Sequence, residues 1–143
     1  MPDPYSQYKE TQILTASPGK LLLMLYDGAI SALEQTLEII EDKSKYDLVN
    51  KNLLKAQEIL GELLSSLDFE AGGEFATNLQ SLYAYMIKRL MEGNFEKSKE
   101  PIHEVLKYIR ELRESWAVAV QKVGNDPKQS MKTTQTSNLN ISG

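Results

Sequence analysis

The side chains in this sequence that could do chemistry are few. His103 is the single histidine, and it closes the run Glu100-Pro101-Ile102-His103. That is the E-x-x-H spacing with which di-iron helical bundles present a carboxylate and an imidazole on one helix face. Such a centre takes two of these motifs and a glutamate from each remaining helix, so a chain with one histidine cannot build it alone. Glu100 also falls in the first turn of a helix, where an acidic side chain offsets the partial positive charge of the helix start, and His103 then reads as an exposed helical residue. Glu34, Glu38 and Glu41 recur at helical spacing on a polar face and read as a solvated surface. The chain has no phosphate-binding loop, dinucleotide fingerprint or nucleophile elbow. It has no cysteine, which removes disulfide frameworks and thiolate metal sites. These residues imply no catalytic site, no metal and no cofactor.

The apolar periodicity says more. Ser17 suits an N-cap and Pro18 the first helical position, where a missing N–H costs nothing. The first helix then runs from about Ser17 to Glu41, with Leu22, Tyr26, Ala29, Leu33, Leu37 and Ile40 as its inward stripe. A second runs from about Tyr46 to Leu67, on the stripe Val49, Leu53, Ala56, Leu60, Leu63 and Leu67. Asp68 to Gly73 (DFEAGG) reads as a break. The third helix runs from about Glu74 to Glu92 with Phe75, Leu79, Leu82, Met86 and Leu90 inward, and Gly93-Asn94 reads as its stop. Ser98 is a plausible cap for the fourth, whose stripe is Ile102, Val105, Ile109, Leu112, Trp116, Ala119 and Val123. Tyr83 borders the core, where its hydroxyl would meet water or a backbone group; Tyr85 points outward; Met86 and Met91 read as adaptable fillers. Four such helices on short loops predict an all-α fold, an antiparallel four-helix bundle, and 143 residues suit one domain.

One feature exceeds what a bundle needs. Leu21, Met24 and Leu25 fall off the inward stripe of the first helix, so its start is apolar nearly all round. Part of this chain or a partner must cover that second face. The segment before it is polar with apolar punctuation at Tyr5, Tyr8, Ile13 and Leu14. It reads either as a frayed terminus or as a plug laid over the Leu21–Met24–Leu25 face; the uncovered face favours the plug. Residues 124–143 are rich in Ser, Thr, Asn and Gln and read as a flexible tail. The net charge of −4 without a basic stripe argues against nucleic acid. No apolar run is long enough to insert into a membrane, and no signal-peptide pattern opens the chain.

The stretch TASPGKLLLMLYDGAI, Thr15 to Ile30, with PYSQY upstream, resembles the flagellar secretion chaperone family of the FliS type. The family begins with a tyrosine-bearing segment, then T-A-S/T-P, then an L-x-x-M-L-Y-D/N-G helix. Here Tyr5 and Tyr8, Thr15-Ala16-Ser17-Pro18 and Leu23-Met24-Leu25-Tyr26-Asp27-Gly28 stand in those places. The likeness continues through KAQEILGELLSSLD (Lys55 to Asp68), NLQSLYAYMIKRLMEGN (Asn78 to Asn94) and ELRESW (Glu111 to Trp116), covering about Pro4 to Val123. It implies a helical-bundle chaperone domain over residues 1–123, with residues 1–14 as its plug, and a tail over 124–143 that inherits no role. It also implies a cytoplasmic, cofactor-free protein and not an enzyme. Such a protein binds the disordered C-terminal segment of flagellin, prevents premature polymerisation, and delivers it to the cytosolic domain of a membrane protein of the flagellar type III export gate. Leu21, Met24 and Leu25 would belong to the flagellin groove; Tyr5, Tyr8, Ile13 and Leu14 would fill part of that groove or meet the export gate. The residues alone also allow a homo-oligomeric helical bundle without flagellin specificity, and either a monomer or a weak homodimer.

Overall fold

Proline at the first helical position opens α1, Pro18–Ile39. It is followed by α2 (Tyr46–Ser65), α3 (Phe69–Glu96) and α4 (Lys99–Val123). The structure is a computed structural model and describes residues 18–123. Ser17, the plug residues Tyr5, Tyr8, Ile13 and Leu14, and the tail over 124–143 lie outside the described residues.

The connections are built by short polar side chains. After α1, a single 3₁₀ turn over Lys43–Lys45 is capped by Asp42. The Ser44 N–H and hydroxyl both donate to Asp42 Oδ1, at 3.0 and 2.6 Å, and hold that carboxyl below the usual range. Asp68 caps α3 by accepting from the N–H groups of Glu70 and Ala71, at 3.1 and 3.0 Å. This cap corrects the expected break over Asp68 to Gly73. One helical turn forms there at once, and the break is confined to Gly73, at φ 53° and ψ −127°, a conformation open to glycine.

The expected stop at Gly93-Asn94 is also corrected. α3 continues through both residues to Glu96, and Lys97 takes the left-handed conformation, its N–H donating to the Gly93 carbonyl. Lys97 is held there by its ammonium, which donates to the Asn94 carbonyl and side-chain oxygens at 2.7 Å each and lies 5.2 Å from the centre of the Tyr46 ring. Gly93 is small for a different reason. It is buried under α4, where a Cβ would stand 3.3 Å from Pro101 Cβ.

The helices form a ring: α1 packs on α2 and α4, and α3 packs on the same two. Cross-links show each neighbour to be antiparallel. Gly19 at the start of α1 faces Val120 near the end of α4, while Glu41 just beyond α1 pairs with Lys99 at the start of α4, at 3.3 Å. Asn50 near the start of α2 accepts from Asn94 near the end of α3, at 2.7 Å. Inside the ring lies one core with contributions from all four helices, among them Leu33, Leu60, Leu63, Met86, Leu90 and Ile109. Met91, read as a filler, is instead 57% exposed: it falls off the stripe of Met86 and Leu90 onto the solvent side of α3.

Leu63 is 1% exposed at the centre of this core. Leu63→Ala should lower the unfolding free energy by roughly 2–5 kcal/mol, through lost burial and a residual cavity. Urea unfolding measures it, and wild-type stability in that variant would show the inward face of α2 to be misplaced.

Candidate functional site

The surplus apolar face of α1 can be understood only from what its other side holds. Tyr26 is fully buried. Its hydroxyl accepts from Trp116 Nε1–H of α4 at 3.0 Å and shares a short hydrogen bond with the Tyr83 hydroxyl of α3. Trp116 is itself held edge-on to Phe75 of α3, ring centres 6.3 Å apart. Tyr83 is therefore a core residue at 1% exposure, and its hydroxyl partner is a side chain, where water or backbone was expected. Burial pushes the Tyr26 phenol up to about 12, against the smaller opposing effect of its hydrogen bonds, and pushes Tyr83 up as well. Both are neutral hydroxyls at physiological pH.

The next two residues extend the clamp. Asp27 accepts from Arg113 of α4, at 2.9 Å from Nε and 3.3 Å from Nη2. Gly28 faces α2, where a Cβ would stand 3.3 Å from Ile59 Cδ1. Tyr26-Asp27-Gly28 thus ties α1 to α3 and α4, to α4, and to α2 in turn, and fixes how α1 is rotated.

With that rotation set, Leu21, Met24 and Leu25 are all half-buried on the first turns of α1. Leu25 rests partly on the core. It also lines an open depression of about 730 Å³ between α1 and α2, together with Lys55, Glu58, Ile59, Gly61, Glu62 and Ser65. Leu21 lies one turn before Leu25 and Met24 immediately before it, and both are outside that lining. Ile59 and Gly61 were missed in the sequence. The available signal was that Ile59 is apolar but off the stripe of Ala56, Leu60 and Leu63, with a residue lacking a side chain two positions on. The floor is apolar and the rim carries both signs of charge, which suits an amphipathic segment.

His103 is exposed, and among the described residues no group of three or more His, Asp or Glu side chains could hold a metal ion. No helix among them is long and apolar enough to cross a membrane. A helical bundle with a clamped helix and unspent apolar surface beside it belongs to the class of proteins that work by binding another chain.

Comparison with known proteins makes the class specific. The model of the flagellar protein FliS family matches residues 1–123. The flagellar secretion chaperone FliS of Bacillus subtilis is 32% identical over 124 residues, covering 87% of this chain and 91% of the relative. That of Salmonella typhimurium is 41% identical over 110 residues, covering 75% and 79%. The flagellar secretion chaperone FliSB of Pseudomonas aeruginosa is 36% identical over 109 residues, covering 75% and 84%. The chain belongs to the FliS family of flagellar secretion chaperones, a family of chaperones and not of enzymes.

The buried tyrosines make a pH prediction. A phenol whose folded pKa is raised contributes stability that is fully present below the unfolded value of 10.0 and is lost as pH rises towards about 12. Unfolding free energy should fall across that window more steeply in the wild-type chain than in Tyr26→Phe/Tyr83→Phe. Urea unfolding over an alkaline pH series, with tyrosinate absorbance followed in parallel, measures both slopes. Equal slopes would contradict the buried pair.

Proposed function

We propose that this chain binds the disordered C-terminal segment of flagellin along the outer side of α1, around Leu21, Met24 and Leu25. By doing so it keeps that segment from polymerising early and hands it to the cytosolic domain of a membrane protein of the flagellar export gate. The observation that carries this reading is the half-buried apolar run on α1 beside the depression lined by Leu25 and Ile59, on a helix whose other side is already engaged. Family membership supports the direction of traffic, and the relatives are secretion chaperones by name. A disordered ligand can cover a large surface while the cost of ordering it reduces net affinity, which suits cargo that must later be released. The work takes place in the cytoplasm and needs no cofactor.

In the same reading residues 1–123 form the chaperone unit, which the extent of the family match supports, and 124–143 lie beyond it. Residues 1–14 act as a plug, with Tyr5, Tyr8, Ile13 and Leu14 covering the α1 surface when no cargo is present. Closure worth about 1–2 kcal/mol would lower apparent cargo affinity roughly 5–30-fold, because only the open fraction binds. Release of the plug on cargo binding would free Tyr5 and Tyr8 to meet the export gate.

Met24→Glu tests the surface. A charge there should weaken binding of a flagellin C-terminal peptide, measured by calorimetric titration, and change unfolding free energy by about 0.5 kcal/mol or less. Undiminished peptide affinity would remove α1 from the binding surface. A large loss of stability would place Met24 in the core.

A further inference from the structure

The clamp beneath α1 is one acceptor short. Trp116 Nε1–H, the Tyr26 hydroxyl and the Tyr83 hydroxyl bring three protons, and the two hydrogen bonds among them use only two. If Tyr83 donates to Tyr26, the Tyr26 proton is left over. If Tyr26 donates to Tyr83, the Tyr83 proton is left over. Both phenols are buried, and among the described residues neither hydroxyl has a further hydrogen-bond partner. A buried donor without an acceptor is costly, so the third proton needs an acceptor from outside the trio.

A cavity of about 20 Å³ lies where that acceptor is needed, at the end of the bundle where α1 begins and α4 ends. Its walls are largely apolar, among them Leu22, Phe75 and Leu79, and the hydroxyl-bearing residues on it are Tyr83 and Ser66. A single water needs roughly 10–15 Å³ of such space and two to four polar partners, so the cavity has room for one. Tyr83 lines it and Tyr26 does not, which settles the order of donation. Tyr26 donates to Tyr83, and the leftover proton is the one on Tyr83.

We propose that this cavity binds one ordered water, which accepts from the Tyr83 hydroxyl and donates to the Ser66 hydroxyl oxygen. Ser66 is suited to that part. Its own proton goes to the Leu63 carbonyl at 2.8 Å, in the last turn of α2, which leaves its oxygen able to accept. The hydrogen bonds then run in one direction, from Trp116 of α4 through Tyr26 of α1 and Tyr83 of α3 to the water and Ser66, and each polarises the next. The trio alone joins three helices; the water brings in the end of the fourth, α2. Leu25 precedes Tyr26 in sequence and Ser65 precedes Ser66, and both line the open depression between α1 and α2. The water-linked bonds thus connect the two walls of that depression from beneath, and Ser66 is a positioning residue for it.

High-resolution crystallography of the full chain tests this, together with urea unfolding of Tyr83→Phe, Ser66→Ala and the double variant. The wild-type map should show one water within hydrogen-bond distance of both Tyr83 Oη and Ser66 Oγ, and the map of Tyr83→Phe should lack it. Ser66→Ala should lower the folding equilibrium constant roughly fivefold more in the wild-type chain than in the Tyr83→Phe background, because the two side chains act through the same water. A dry cavity in the wild-type map overturns the proposal, as does a carbonyl of residues 1–17 in the water's place or a pair of substitutions whose effects simply add. The wild-type map decides even if a variant does not fold.

Discussion

The hydroxyl of Tyr26 fixes the rotation of α1, and most of the molecule follows from that. A phenol buried among apolar side chains is tolerable only when hydrogen-bonded, since an orphaned one costs on the order of 1–3 kcal/mol. Trp116 and Tyr83 supply the partners from two different helices. A helix advances by roughly 100° per residue, so turning α1 by one residue would leave all three groups unpaired at once. Holding Tyr26 inward determines the rest: Asp27 reaches Arg113, Gly28 admits Ile59, and Leu21, Met24 and Leu25 are left on the outside. The conspicuous Tyr-Asp-Gly of the signature is thus a clamp, and the apolar residues just before it are what the clamp presents.

In the proposed binding mode, stability and recognition are carried by different residues. The core of Leu33, Leu60, Leu63, Met86 and Ile109 accounts for the cohesion of the ring. The ion pairs Arg110–Glu34, Arg113–Asp27 and Lys99–Glu41 cross between α1 and α4 or the ends of these helices in exposed positions, where each contributes little to stability. Their effect is on alignment, since each favours one register of α4 along α1. The Arg89–Glu104 pair, extended to Tyr85 and Glu92, does the same for α3 and α4 and holds the Glu104 carboxyl below the usual range. A scaffold set in this way holds the outer side of α1 in one orientation, with Leu25 resting partly on the core beneath it.

The number of helices, their inward stripes and the family were legible in the sequence because they rest on local periodicity and on a run of residue types in fixed order. The misreadings share a cause. Asp68 to Gly73 looked like a loop, yet a single capping carboxylate was enough to start a helix there, and only the backbone of Gly73 departs from it. Gly93 looked like a stop because glycine often ends helices, but its smallness answers to Pro101, which the pattern within α3 cannot reveal. The partner of the Tyr83 hydroxyl and the place of Ile59 and Gly61 in the depression are likewise facts about other helices. What was legible of the proposed site was the excess itself: three apolar residues, Leu21, Met24 and Leu25, that the core stripe did not require.

In the proposed mechanism the outer side of α1 is covered from within until cargo displaces the cover. Hydrogen exchange on the full chain, with and without a peptide of the flagellin C-terminal segment, tests it most directly. Amides of residues 5–14 should exchange faster in the complex, while those of residues 21–30 become more protected. If residues 5–14 instead gain protection, the segment clamps the cargo; if residues 21–30 do not respond at all, cargo binds elsewhere on the bundle. Either result contradicts the account.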